Sequence, residues 1–414
     1  MTELYLQRRR VIVAPGVGKG HDRSDIGAID RSWQRAAPLV SSQAPITIDL
    51  GPIRYMEHET LMFVAGTVRE RALRGQETWI ELPHNDRVIS YLRAWNFPSL
   101  LSYAAHRPFI SLLTERSRDR FEHSTNEPSK YLKVVDKPSG GRENLLPTTF
   151  FACTPVRLRD DPFSAASVVR SKWLDRHVVS ILDRYLGNRG DNVATKVMHE
   201  AVLNAAGHPN AIVAFTSSQL DYRGHNQDRS QDDPVALQIA VWDDGDSFSR
   251  TLEMALERDL TIQSPAYGLV SERVNITLLH NGEDAGSTVL TSDDREIARA
   301  PIPLMVAAFL LGVTSLAVKG RARPHLDEET DSASSEDMLP LEARGHGGLG
   351  LALIRRTVID TFGGELQYIT GGYRIRIRGN IPFSVYDCTV DDRGDLGPVL
   401  RGNLLLANIP LGAV

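Results

Sequence analysis

The sequence has little cysteine, no dominant sign of charge and no clean membrane-length apolar run, and each shortage removes a class of protein. Cys153 and Cys388, the two cysteines among 414 residues, lie in unrelated segments without metal-ligand spacing. A disulfide framework and a zinc site are therefore poor readings, and a reducing cytoplasm fits best. The 47 Lys plus Arg against 52 Asp plus Glu leave a formal charge of −5, which gives no global attraction for phosphate backbones. Arg8-Arg9-Arg10 is too short to make a basic patch, so nucleic acid is not indicated. That cluster is followed only by Val11-Ile12-Val13 before Pro15, so no secretory leader is expected. The stretch Pro301 to Val318 is apolar but carries Pro301, Pro303, Thr314 and Ser315, and a spanning helix needs about 20 predominantly apolar residues. It reads as a core helix, and no membrane partner is expected. What is present is ordinary: 42% hydrophobic and 24% charged residues supply a packed core and a soluble surface. The length fits two or three domains of about 100–200 residues. No fixed-period repeat is visible, which sets aside solenoids and propellers.

Residues 1–44 read as an irregular arm. Within it Ala14 to Gly20 invites a phosphate-loop reading, but the places for the first glycine and the final Ser or Thr hold Val13 and Gly20. Pro45 to Leu50 alternates like a strand, Thr60 to Leu73 has helical periodicity, Thr78 to Leu82 is strand-like after Gly75, and Arg87 to Trp95 is a second helix. This βαβα order over residues 45–104, with a strand ending Glu81-Leu82-Pro83 and a helix beginning Arg87-Val88-Ile89, resembles a STAS domain, the fold of anti-sigma-factor antagonists. In those antagonists the turn before the first helix carries a phosphorylatable serine. Here Tyr55 to Thr60 occupies that turn, and Thr60 reads as a helix N-cap, so no phosphorylation is expected. Residues 105–162 read as a connector. Helical patterning resumes at Ala165, where Trp173, Val178, Ile181 and Tyr185 can line one stripe. The acidic, serine-rich run Asp327 to Asp337 reads as a surface loop.

Three segments carry chemistry. Val193 to His208 is a helix on which Glu200, Asn204 and His208 recur every four residues and share one face, ending where Pro209 disfavours helix for the residue before it. Apolar neighbours surround Glu200 and Asn204, so burial desolvates a carboxylate and an amide and demands partners. Ala236 to Asp244 is a strand whose buried face runs Leu237, Ile239, Val241 and finally Asp243, beside Gly245. A carboxylate at that place suits a planar amine, although in isolation a solvated Asp-Gly turn is the favoured reading. Third, Arg344-Gly345-His346-Gly347-Gly348-Leu349-Gly350 runs into a helix with Leu351, Ile354, Val358 and Phe362 at core spacing, and glycines before a helix let its first N–H groups meet phosphate. Gly363-Gly364 stops that helix, and a hairpin follows around Gly371-Gly372.

In this order the three segments resemble the GHKL superfamily, which comprises gyrase, the ninety-kilodalton heat-shock chaperones, histidine kinases and MutL. Glu200, Asn204 and His208 match its N-box in the form seen in anti-sigma-factor serine kinases; Asp243-Asp244-Gly245 matches the first glycine box and Gly345 to Leu351 the second. The resemblance covers roughly residues 165–412 and places an ATP-binding domain at 163–414. It implies an α/β fold, a two-layer α/β sandwich of the Bergerat type with a mostly antiparallel sheet, and ATP with Mg²⁺ as ligands. It further implies that Asn204 ligates Mg²⁺ and that Asp243 receives the adenine amine. By the same resemblance Gly245, Arg344, Gly345, His346, Gly347, Gly348, Leu349 and Gly350 line the rest of the site, although an exposed arginine beside a loop is the simpler reading of Arg344, and Glu200 orients or deprotonates the attacking water, or the hydroxyl of a protein substrate, as general base.

Two departures qualify this. The third position of the first glycine box holds Ser247, which reduces backbone freedom there. Gly245 and Gly345 are 100 positions apart, so an insert at about 251–343 adds a lid, an interaction surface or both. The expected function is an ATPase switch acting on a protein partner, with a homodimer compatible. The alternatives are an anti-sigma-type protein serine/threonine kinase and a non-hydrolysing nucleotide-gated scaffold. A conventional histidine kinase is disfavoured because His177 and His199 lie inside the ATP-domain helices.

Overall fold

The computed structural model describes residues 10–13, 40–53, 58–94, 96–123, 134–136, 142–144, 151–157, 166–167, 169, 183, 186–187, 189–208, 210–221, 236–251, 273–280, 282–291, 305–306, 309, 350–380, 385–392 and 401–411. It is a mixed α/β protein built on one large mixed sheet and one small parallel sheet.

The small sheet has the order β1 (Arg10–Val13), β2 (Ile46–Asp49), β3 (Thr78–Glu81), all parallel. Arg10–Val13, which lies in the segment expected to be irregular, is thus a strand of this sheet. Helix α1 (His58–Leu73) makes the crossover from β2 to β3, and α2 (Asp86–Ala94), α3 (Phe97–Ala105) and α4 (Glu115–His123) follow. The unit runs past residue 104, where a connector was expected. Leu113 bridges Ile80, Leu82 N–H donates to Ser117 Oγ at 2.8 Å, and Phe109, Leu112 and Leu113 join the core beneath β2 and β3. Buried Arg71 pins the entry to the sheet by donating to the carbonyls of Val40, Ser42, Ala44 and Glu77 and to Thr78 Oγ1, all within 3.0 Å.

A two-stranded ribbon, β4 (Val134–Asp136) with β5 (Arg142–Asn144), precedes the large sheet. The large sheet contains β6 (Phe151–Arg157), β7 (Val213–Asp221), β8 (Ala236–Asp243), β9 (Arg273–His280), β10 (Glu283–Thr291), β11 (Glu365–Thr370), β12 (Tyr373–Asn380), β13 (Val385–Asp392) and β14 (Asn403–Pro410). Their order is β10-β9-β13-β12-β11-β14-β8-β7-β6, antiparallel throughout except for β13 beside β9. The expected insert therefore contributes a hairpin, β9 with β10, to the sheet. From the apolar stretch 301–318, Met305, Val306 and Phe309 are buried and helical, with the Phe309 ring edge-on to Tyr368 at 5.4 Å. No helix among the described residues is long and apolar enough to cross a membrane.

Helical structure covers one face of the sheet: α5 (Gly190–Val193), a π-helical turn Ala194–Met198, α6 (His199–Gly207), and α7 (Gly350–Arg355) with a second π-helical turn Arg356–Thr361. Val197, Ala201 and Ile354 pack there on Ile239, Val241 and Leu405. The opposite face is also covered. Val213, Phe215, Ala240, Trp242, Ile369 and Leu404 share one core with Leu61, Val64 and Val68 of α1 and with Leu100, Leu101 and Ala104 of α3. This explains two patterns in the sequence. Strand β8 is buried on both faces rather than one, and α1, buried at every position from Glu59 to Arg71, shows no polar stripe because both of its sides are packed.

Candidate functional site

Glu200, Asn204 and His208 descend one side of α6. At 1.5 Å per residue the first and last are about 12 Å apart along the axis. The π-helical turn before α6 carries an extra residue, and so resets which face these three side chains share. Glu200 is buried, with Oε1 3.7 Å from His199 Nδ1. Its other oxygen lies beside Gly350: a Cβ there would stand 3.2 Å from Glu200 Oε2. The first residue of α7 thus meets the carboxylate with backbone alone. Arg344, Gly345, His346, Gly347, Gly348 and Leu349 lie outside the described residues.

At the other end of α6, His208 leaves the helix with extended backbone (φ −69°, ψ 137°) and reaches Asp243. Its Nδ1 lies 2.9 Å from Asp243 Oδ2 and 3.0 Å from Asn403 Nδ2, while Nε2 faces Tyr368 Oη at 3.4 Å and Asn204 Nδ2 at 3.5 Å. The Asn403 amide hydrogens are directed at Asp243 Oδ1 and the Asp246 carbonyl, so the carboxylate beside Nδ1 favours the tautomer with the proton on that nitrogen. Asp243 Oδ1 accepts from Gly245 N–H at 3.0 Å and from Asn403 Nδ2 at 3.1 Å. A carboxylate offers about four lone-pair sites, so three internal donors leave one for a ligand amine. Burial, and then the charge of Asp243, push the Tyr368 hydroxyl well above its usual range and keep it a donor.

Gly245 is required by this chain's own packing. A Cβ there would stand 2.9 Å from both Asp243 Oδ1 and His208 Cβ, and 3.1 Å from Ala211 Cβ. Ser247, where the resemblance calls for glycine, starts a helical turn: its Oγ accepts from Arg250 N–H at 3.3 Å and its carbonyl from Thr251 N–H at 3.0 Å.

The residues that hold this end together carry no local pattern that marks them in the sequence. Asn403, at the start of β14 and in register with Asp243, donates to Asp243 Oδ1 and to the Asp246 carbonyl, and its Oδ1 accepts from Phe248 N–H at 2.8 Å and Thr370 Oγ1 at 2.6 Å. Gly402 before it has φ +91°, and a Cβ there would fall 1.7 Å from the Asp243 carbonyl. The available signal was Gly-Asn ahead of an apolar strand, which reads as a turn. Asp244, expected only as part of the glycine box, accepts at Oδ1 from the N–H groups of Ile212 (2.7 Å) and Val213 (2.9 Å), and Arg69 pairs with its Oδ2 at 3.1 Å.

The structure therefore brings Glu200 to Gly350 and brings His208, Asp243 and Gly245 together, with Asn204 between the two groups. Among the described residues no cluster of three or more His, Cys, Asp or Glu is arranged to hold a metal. No protein-family model matches the chain, and neither a curated protein nor a solved structure matches it.

Proposed function

We propose that residues 163–414 are a GHKL-type ATP-binding domain of the Bergerat fold, and that the chain uses Mg-ATP binding and hydrolysis as a conformational switch acting on a protein partner. The observation that carries this reading is the α6 strip. One helix links a buried glutamate, which abuts the glycine opening α7, to a buried aspartate held ready at the end of β8. In this reading Asp243 accepts the exocyclic amine of adenine, and His208, Gly245 and Asn403 orient it. Asn204 would hold Mg²⁺ through its amide oxygen, and Mg-ATP, when bound, would supply the scissile phosphoanhydride with its charge partly neutralised. Glu200 orients the attacking water and accepts its proton; packing by His199 and Gly350 restricts where the carboxylate can point.

The N-terminal unit we read as STAS-like: parallel strands joined by a crossover helix, extended to residue 123 by α3 and α4. Thr60 is buried in α1, which opposes any use of it as a phosphate acceptor and favours the switch over a kinase acting on its own N-terminal unit.

Incubation of the purified protein with γ-labelled ATP, alone and with cell extract, tests the reaction. Release of free phosphate that Glu200→Ala lowers by about 10²–10⁴-fold, with nucleotide still bound, is the expected result. A labelled protein indicates the kinase instead, and bound nucleotide with no Glu200-dependent turnover indicates the scaffold.

A further inference from the structure

The N-terminal unit reaches the candidate nucleotide site through one side chain. Arg69, on α1, directs Nε and Nη2 at Asp244 Oδ2 (3.3 and 3.1 Å), and both residues are buried. The other oxygen of Asp244 accepts from the N–H groups of Ile212 and Val213, and Asp244 N–H donates to the Val213 carbonyl at 3.2 Å. Asp244 therefore binds the chain just after His208 to the chain just after Asp243, the two halves of the pair that presents the adenine-type carboxylate. A buried carboxylate needs a cation or a full set of donors, and among the described residues Arg69 is the cation paired with it. A second buried ion pair, Glu59 with Arg374 on β12, joins the same helix to the same sheet face three strands away from β8.

Resting on the nucleotide reading above, we propose that Arg69 is a positioning residue of the base site: by holding Asp244 it fixes the 212–213 and 243–245 segments, so the N-terminal unit sets the affinity for adenine nucleotides. The two ion pairs separate this from simple glue between layers. Cutting either one weakens the layer contact, but only the Arg69 pair touches the base site.

The test is equilibrium binding of ATP and ADP to the full chain, with amide exchange at Ile212 and Val213, for wild type, Arg69→Met, Arg69→Lys and Glu59→Gln. Arg69→Met is expected to raise both dissociation constants by about tenfold, leaving their ratio unchanged because the phosphate end is untouched. It also removes exchange protection at Ile212 and Val213, and Arg69→Lys restores part of both. Glu59→Gln lowers the melting temperature while leaving affinity within about twofold. Asp244→Asn carries the same test if Arg69→Met does not fold. Wild-type affinity in a folded Arg69→Met, or an equal loss in Glu59→Gln, overturns the proposal. If the wild type binds neither nucleotide, the reading of the site fails on its own account and the base-affinity proposal falls with it. Exchange then still decides the local claim: protection lost in Arg69→Met alone keeps Arg69 as the anchor of the 212–213 segment, and unchanged protection removes that too.

Discussion

Asp243 takes three hydrogen bonds from its own chain, and the cost of losing any donor falls on a buried charge. Asn403 is the donor whose removal reaches furthest. Asn403→Ala takes a donor from Asp243 Oδ1 and from the Asp246 carbonyl and the acceptor from the Thr370 hydroxyl, while Phe248 N–H keeps its bond to Thr370 Oγ1. Chemical denaturation should show a loss of about 2–3 kcal/mol, the cost of buried polar groups left unpaired. Gly402→Ala should cost more, about 4 kcal/mol or above, because it combines a left-handed backbone with a clash on the Asp243 carbonyl. A smaller loss for Gly402→Ala than for Asn403→Ala contradicts this ranking. Cys388 gives a residue-scale check of the core beneath β13. Burial pushes its thiol far up, so the thiolate that reacts with alkylating agents is scarce. Alkylation of Cys388 at pH 8 should proceed only as fast as global unfolding, and rapid labelling of native protein would place β13 elsewhere.

Among the elements, α1 has the most unusual environment, since it is packed against the small sheet on one side and the large sheet on the other. Trp242, Phe215 and Leu404 are buried by it and by α3 rather than by α6 and α7. Removing residues 1–123 should therefore yield a 124–414 fragment that binds a hydrophobic dye and aggregates. A monomeric, cooperatively melting fragment would show that the second sheet face needs no cover. This arrangement also marks what the sequence made legible. Strands β2, β3, β8, β11 and β12 and helices α1, α2 and α6 follow from local alternation, helical spacing and stop signals, within a residue or two at most ends. Strands β1 and β6 do not, because each is an edge strand whose partner lies far along the chain, whereas the local β9–β10 hairpin falls in the segment expected only as an insert. The pairing of Asn403 with Asp243 spans 160 residues, and the Arg69–Asp244 contact spans 175, so neither leaves a local pattern. Burial of β8 on both faces was hidden for the same reason: the cover comes from a separate unit.

For the whole molecule, the two layers on either side of the sheet make a switch physically reasonable. Under the proposed reading, closure around nucleotide on the α6 face would move strands whose other face holds the N-terminal unit, to which the buried pairs Arg69–Asp244 and Glu59–Arg374 tie them. The central claim underneath is that the α6 strip binds an adenine nucleotide, and calorimetric titration of Mg-ATP into wild type, Asp243→Asn and Glu200→Gln tests it most directly. Wild type and Glu200→Gln should bind with similar affinity, while Asp243→Asn, which loses carboxylate acceptor capacity without changing shape, should bind about tenfold or more weakly. No heat of binding in the wild type, or equal affinity in Asp243→Asn, would contradict the account.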